Sequence, residues 1–304
     1  MIGLPGLPEI LRPGWVPGFG RAESLSGRTV FVTGAARGLG AEIARQAYAE
    51  GANVALIGRS IGPLRELADE LGPRAVPFEA DVTDFDALDL AAAATVERFG
   101  GIDVVIANAG IAPPSDSILT IDRDAFERTV EVDLLGQWRT IRATLPYLVR
   151  SRGYVLVVAS IYAFVNGALN ASYAASKAGV EQLVRALRVE LAPHGAAAGV
   201  AYLGFVDTDL AADVFAQEQV AEARAALPDF VTRPIPVEAA AAAVIDGARR
   251  RSARVCAPGW VEPMLWMRGI VTFVMDEMLM RNQALLTAIV RAEERALGAI
   301  LQRR

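Results

Sequence analysis

Arg28-Thr29-Val30-Phe31-Val32-Thr33-Gly34-Ala35-Ala36-Arg37-Gly38-Leu39-Gly40 passes from a short, β-branched apolar run straight into a turn punctuated by glycine. A helix-like run from Gly40 to Glu50 follows and stops near Gly51. Glycines at a strand-to-helix turn let the backbone approach a pyrophosphate. The helix start offers unpaired N–H groups and the positive end of its dipole. Many glycine-rich stretches do nothing of the kind. This one stands between a strand and a helix, the context the motif requires.

The same alternation continues outward. Asn53–Ile57 reads as a second strand and Pro63–Leu71 as a second helix. Val76–Ala80 and Ile102–Ala107 are further strands, separated by an alanine-rich helix. Gly153–Ala159 and Gly199–Leu203 follow, and Arg254–Cys256 is a short seventh. Near-continuous apolar strands imply a sheet covered on both faces, as parallel strands between helical layers require. The predicted fold is therefore α/β, a Rossmann-like doubly wound parallel sheet with a C-terminal helical extension. No second run of strands appears, so residues 25–260 are read as one dinucleotide-binding catalytic domain. It is flanked by an extended N-terminal arm (1–24) and the extension (261–304).

The arm is rich in Pro and Gly. It either docks through Trp15 and Phe19 or trails as a tail. It lacks the basic and unbroken apolar regions of a secretory signal. In Pro263–Met280 the apolar run is broken by Arg268, Asp276 and Glu277, which argues against a membrane span. This segment reads as a helix packed on the core or a partner, with a substrate cover and peripheral contact with a membrane surface as alternatives. The 304 residues carry 30 Lys+Arg against 35 Asp+Glu, a net charge of −5 that disfavours nucleic-acid binding. One cysteine, Cys256, excludes an internal disulfide, and with one histidine, His194, no Cys- or His-based metal centre is expected. A cytoplasmic setting fits this composition. His194, at a helix end, is read as structural.

Further motifs occur in a fixed order. Asp81-Val82 follows the third strand, Asn108-Ala109-Gly110 ends the fourth and Ser160 ends the fifth. Thirteen residues on comes Tyr173-Ala174-Ala175-Ser176-Lys177, a Y-x-x-x-K pattern. Together with the G-x-x-x-G-x-G turn, these motifs resemble the short-chain dehydrogenase/reductase family over roughly residues 27–258. The resemblance implies a nicotinamide cofactor held by Gly34, Ala36, Arg37, Gly38, Leu39, Gly40, Arg59, Ser60, Asp81, Val82, Asn108, Ala109, Gly110, Val206 and Thr208, together with Tyr173 and Lys177. It implies Ser160, Tyr173 and Lys177 as catalytic residues, with Asp133 at the position of the fourth. Asp133 stands in Val132-Asp133-Leu134 where the family has Asn, at a helix distortion whose main-chain carbonyl holds a water leading toward the lysine.

The second strand ends Ile57-Gly58-Arg59-Ser60, without the carboxylate that binds a ribose 2′-hydroxyl in NAD enzymes. Arg37 and Arg59 instead suit a 2′-phosphate, so NADP(H) is expected; the alternative is two ordinary solvated charges. Tyr173 and Lys177, four apart on one helix, share a face. The ammonium should favour the phenolate of a residue whose free pKa is about 10. Tyr173 then exchanges a proton with a carbonyl or alcohol oxygen that Ser160 holds. Asp133 keeps the backbone carbonyl that would hold the water leading toward Lys177; the alternative is that its carboxylate pairs with Lys177 and weakens the effect on the phenol, so retained activity is expected, with an altered pH optimum in the second case. Ile111, Pro113, Ile161, Tyr162, Phe164, Val165, Leu203, Phe205 and Leu210 are read as an apolar substrate pocket. The expected function is interconversion of an apolar ketone or aldehyde with its alcohol. A non-catalytic dinucleotide sensor or scaffold, or an isomerase or lyase on the same fold, are the alternatives. The resemblance further implies a homodimer or homotetramer, with helices around 122–149 and 171–192 at its interfaces.

Overall fold

A computed structural model describes residues 22–217, 220 and 229–302. Most of the arm therefore lies outside the described residues. Seven strands form one parallel sheet: β1 (Thr29–Thr33), β2 (Asn53–Gly58), β3 (Ala75–Glu79), β4 (Val104–Ala107), β5 (Tyr154–Val158), β6 (Ala197–Leu203) and β7 (Arg254–Ala257). Their order is β3-β2-β1-β4-β5-β6-β7. The chain adds strands to one side of β1, then returns and pairs β4 with its other edge in the register Val30↔Val104, Phe31↔Val105 and Val32↔Ile106. That reversal leaves a crevice beyond the carboxyl ends of β1 and β4, where open α/β sheets bind ligands.

Val30, Phe31 and Val32 are fully buried, and their side chains feed alternate cores on the two faces of the sheet. Such burial contributes about 1.5–3 kcal/mol per large apolar side chain. Helices α1 (Gly38–Ala49), α2 (Ile61–Leu71), α3 (Phe85–Phe99), α4 (Arg123–Val130), α5 (Gly136–Ser151) and α6 (Ala171–Leu191) connect the first six strands. Helix α2 starts two residues before Pro63, because the first turn of a helix tolerates a residue without an N–H.

The helix expected over 122–149 is interrupted. Residues Glu131–Leu135 form a π turn, closed by the N–H of Gly136 donating to the carbonyl of Glu131. After β6 come α7 (Asp209–Phe215), α8 (Asp229–Thr232) and α9 (Val237–Arg249). The 261–304 segment is helical as far as it is described, but Pro263–Met280 breaks at Met267 into α10 (Val261–Trp266) and α11 (Arg268–Leu279), followed by α12 (Gln283–Gln302). Helix α11 has no buried residue and leaves Ile270, Phe273 and Met278 exposed. Among the described residues, no helix is long and apolar enough to cross a membrane.

Candidate active site

The crevice begins at the glycine turn. Gly34 has φ +69°, and a Cβ there would lie 2.9 Å from the Cα of Ala109, so only glycine lets β1 turn against the end of β4. A Cβ on Gly40 would collide with the carbonyl oxygen of Gly34. The two glycines thus set how tightly α1 folds back on β1. Asn108 fixes the other wall: its Nδ2 donates to the Thr33 carbonyl at 3.1 Å, and its own N–H donates to Thr33 Oγ1 at 3.0 Å. No side chain caps the start of α1, so its dipole and first N–H groups meet the crevice.

At the outer end, Arg37 and Arg59 are exposed and line the crevice. Asp81 lines it between them and the sheet. Burial works against its charge. Hydrogen bonds from the Thr83 N–H (2.9 Å) and hydroxyl (2.8 Å), with Arg128 and Arg59 nearby, hold its carboxyl below the ordinary range. Arg128, whose Nη2 lies 3.4 Å from Asp81 Oδ2, also lines the crevice. Sequence reasoning missed it, and no motif marks a helical arginine that reaches a loop 47 positions earlier.

At the inner end, Ser160 follows β5, and Tyr173 and Lys177 come from the first two turns of α6. The Tyr173 side chain hydrogen-bonds to Ser160, and its ring meets Tyr162 edge-on at 5.8 Å. Lys177 Nζ lies 5.1 Å from the Tyr173 ring centre and 3.4 Å from the Val158 carbonyl that accepts from it. The π turn brings Asp133 to the same point. Its Oδ2 is 3.3 Å from Lys177 Nζ, and its Oδ1 accepts the Ile111 N–H at 2.8 Å. Both side chains are buried, Asp133 completely.

The ammonium acts on the phenol in the direction expected from the sequence, but burial outweighs it. Burial pushes the Tyr173 phenol above its ordinary value. Lys177 and the Ser160 hydrogen bond pull it down, but Asp133 pushes it further up. Lys177 is itself held above its usual value, because Asp133 and Tyr173 outweigh the burial that would neutralise it.

Of the residues singled out, Gly34, Ala36–Gly40, Arg59, Asp81, Val82, Asn108–Gly110, Asp133, Ser160, Tyr173, Lys177, Val206 and Thr208 all line this one crevice. Thr208 caps α7 and donates to the Val206 carbonyl at 3.3 Å. Ser60 instead begins α2 and is not among the lining residues. The apolar set divides. Ile111, Ile161, Tyr162, Phe205 and Leu210 face the crevice, whereas Leu203 belongs to the core, Phe164 and Val165 pack against it, and Pro113 is buried elsewhere. Core and pocket draw on the same residue types, so composition does not separate them.

A parallel sheet of this order, with a glycine turn at the strand-order reversal, defines a doubly wound nucleotide-binding protein. More narrowly, the chain belongs to the short-chain dehydrogenase family, whose model matches residues 28–219. It is 35% identical over 204 residues to an L-rhamnose 1-dehydrogenase (NAD(P)(+)) of Sphingomonas sp. (strain SKA58), covering 65% of this chain and 80% of the relative. It is 34% identical over 241 residues to a cis-4-hydroxycyclohexanecarboxylate dehydrogenase of Sinomonas cyclohexanicum, covering 74% and 95%. Among solved structures, an alcohol dehydrogenase from the archaeon Thermococcus sibiricus, complexed with 5-hydroxy-NADP, superposes with a TM-score of 0.66 at 27% identity, covering 75% of this chain and 95% of that one.

Proposed function

We propose that this protein is an NADP(H)-dependent oxidoreductase that interconverts a ketone or aldehyde with the corresponding alcohol. The observation that carries this reading is the meeting of Ser160, Tyr173 and Lys177 at the inner end of a crevice whose outer end holds Arg37 and Arg59. The fit to a dinucleotide rests on the turn at Gly34 and Gly40, where any Cβ would obstruct the backbone, and on the uncapped start of α1.

When bound, the nicotinamide supplies or accepts a hydride at the substrate carbon. The protein's own groups act on the oxygen. Ser160 and Tyr173 hydrogen-bond it and fix its position. In reduction the Tyr173 hydroxyl gives its proton to the developing alkoxide; in oxidation the phenolate takes the alcohol proton. Lys177, buried beside the ring, favours the phenolate by its charge. Ile111, Ile161, Phe205 and the exposed Leu210 line the crevice, and apolar walls of this kind favour an apolar carbon frame. The Sinomonas relative is named for a cyclic secondary alcohol that also carries a carboxylate, so it supports oxidation at a ring alcohol and not the absence of charge on the substrate. A cytoplasmic homodimer or homotetramer completes the proposal. Leu135, Trp138 and Val189, exposed on the π turn, α5 and α6, supply apolar contact surface.

The decisive test follows NADPH absorbance with a panel of cyclic, linear apolar and charged ketones. Turnover of apolar ketones with matching cofactor oxidation is expected. Binding without turnover would favour a sensor, and product without net cofactor oxidation would favour an isomerase or lyase. Preference for small charged ketones would overturn the pocket assignment, and light scattering reads the assembly.

A further inference from the structure

A carboxylate beside the lysine of this site has a consequence for proton transfer. We infer that Asp133 is a positioning residue whose buried charge keeps the shared proton on the Tyr173–Lys177 pair to higher pH, so that the site remains a proton donor, suited to carbonyl reduction, well into the alkaline range. This inference rests on the oxidoreductase reading of the same site and adds to it which protonation state the resting enzyme holds.

The geometry is specific. Asp133 Oδ1 is occupied by the Ile111 N–H at 2.8 Å, which leaves Oδ2 toward Lys177 Nζ at 3.3 Å. The carboxylate is thereby anchored in one orientation by the loop that follows β4, and its second oxygen has the ammonium as its ionic partner. Burial pushes the Asp133 carboxyl above its ordinary value, while Lys177 and the Ile111 N–H pull it back down. In its ionised form the Asp133–Lys177–Tyr173 cluster is neutral while both proton carriers are loaded, and the next proton must leave a buried site already compensated. Without that negative charge, the same cluster carries a buried positive charge and sheds a proton more readily. This holds whether the proton leaves the phenol or the ammonium, because two strongly interacting groups titrate as a pair.

The other faces of the pair add no second compensating charge among the described residues. Tyr162, a neutral phenol, faces Tyr173 from the turn after β5; Ser160 offers a hydroxyl, and Val158 a carbonyl. The direction agrees with Asp133 raising both Tyr173 and Lys177.

Two experiments test this. In the first, the pH dependence of kcat/KM for alcohol oxidation is compared between wild type and Asp133→Asn, which preserves shape and removes charge. The acidic limb of the variant is expected to move down by about one pH unit or more, so that oxidation below the midpoint rises about tenfold relative to its own plateau. A purely structural role would lower the plateau without moving the limb. An unmoved limb, or one displaced to higher pH, overturns the inference. The second needs no Asp133 variant to fold and no turnover. Phenolate absorbance of the wild-type protein is titrated against Tyr173→Phe. Superposable curves up to about pH 10, the ordinary tyrosine value, are expected; an extra phenolate in wild type below that pH overturns it. Absence of turnover on every alcohol would count against the oxidoreductase reading, while the titration would still decide the protonation state.

Discussion

The two arginines at the outer end of the crevice yield the sharpest quantitative consequence of the cofactor assignment. Arg37 stands immediately before the second turn glycine, and Arg59 directly follows the end of β2. No carboxylate ends that strand to bind a ribose 2′-hydroxyl, and Asp81, which also lines the crevice, is engaged by Thr83 and Arg128. A hydrogen bond to a charged group contributes about 1.5–3 kcal/mol where water is excluded. Both guanidinium groups are exposed, which lowers the figure to about 1 kcal/mol each. At about 1.4 kcal/mol per power of ten, Arg37→Ala and Arg59→Ala should each lower kcat/KM for NADPH roughly fivefold. Together, for two independent contacts, they should lower it by about 25-fold. NADH has no 2′-phosphate, so its kcat/KM should stay within about threefold of wild type, a residue of the general loss of positive potential. Wild-type preference for NADPH should also decline as salt is raised, and that salt dependence should flatten in the double variant. Steady-state kinetics with each cofactor, backed by calorimetric Kd values, reads all of this. Equal losses with NADH and NADPH, or an unchanged ratio between them, would refute the assignment of these residues to the phosphate.

Other consequences follow from the inner end, the turn and the extension. Tyr173→Phe removes the proton carrier and should reduce kcat by about 10²–10⁴-fold, while calorimetry finds NADPH affinity little changed. Gly40→Ala drives a methyl group into the Gly34 carbonyl and to 2.7 Å from Asn108 Nδ2, so the loop must open; the protein should fold but lose at least about tenfold in NADPH affinity. Arg268 reaches the buried Glu181 at 2.5 Å, and Glu181 keeps a more distant partner in Arg185 at 3.7 Å. Arg268→Ala should therefore cost about 1–2 kcal/mol, seen as a fall in melting temperature of about 2–5 °C.

What the sequence disclosed follows from how many constraints each feature carries. Strands buried on both faces must be apolar throughout, so Val30–Val32 and Val155–Val157 announced themselves, and their edges were read to within two residues. The glycines at 34 and 40 were legible because backbone sterics leave no substitute there. The pairing of Asp133 with Lys177 was open to inference only as an alternative, since a carboxylate separated from the lysine by α5 and β5 has no local signature. The π turn left no trace in the residue pattern, and only the family resemblance at Asp133 pointed to a helix distortion there. Glu131-Val132-Asp133-Leu134-Leu135 is composed of residues that an ordinary helix accepts, and the wider turn is imposed by what packs around it. Arg128 and the division of apolar residues between pocket and core are tertiary in the same sense.

That silent turn nevertheless decides what the site can do. An α-helix advances about 100° per residue, so one residue added to a turn rotates all that follows by that amount relative to what precedes. Thr129 before the π turn and Gly136 and Gln137 after it are all buried. A regular helix through the same chain would have to surrender one of those buried faces. The extra residue lets both faces stay packed and places Asp133 in the middle of the bulge, where its carboxylate reaches the Ile111 N–H on one side and Lys177 on the other. The buried charge that bears on Tyr173 is thus a product of helix register, and any change that restores a regular turn at Glu131–Leu135 must move that charge away from the lysine even with Asp133 unaltered.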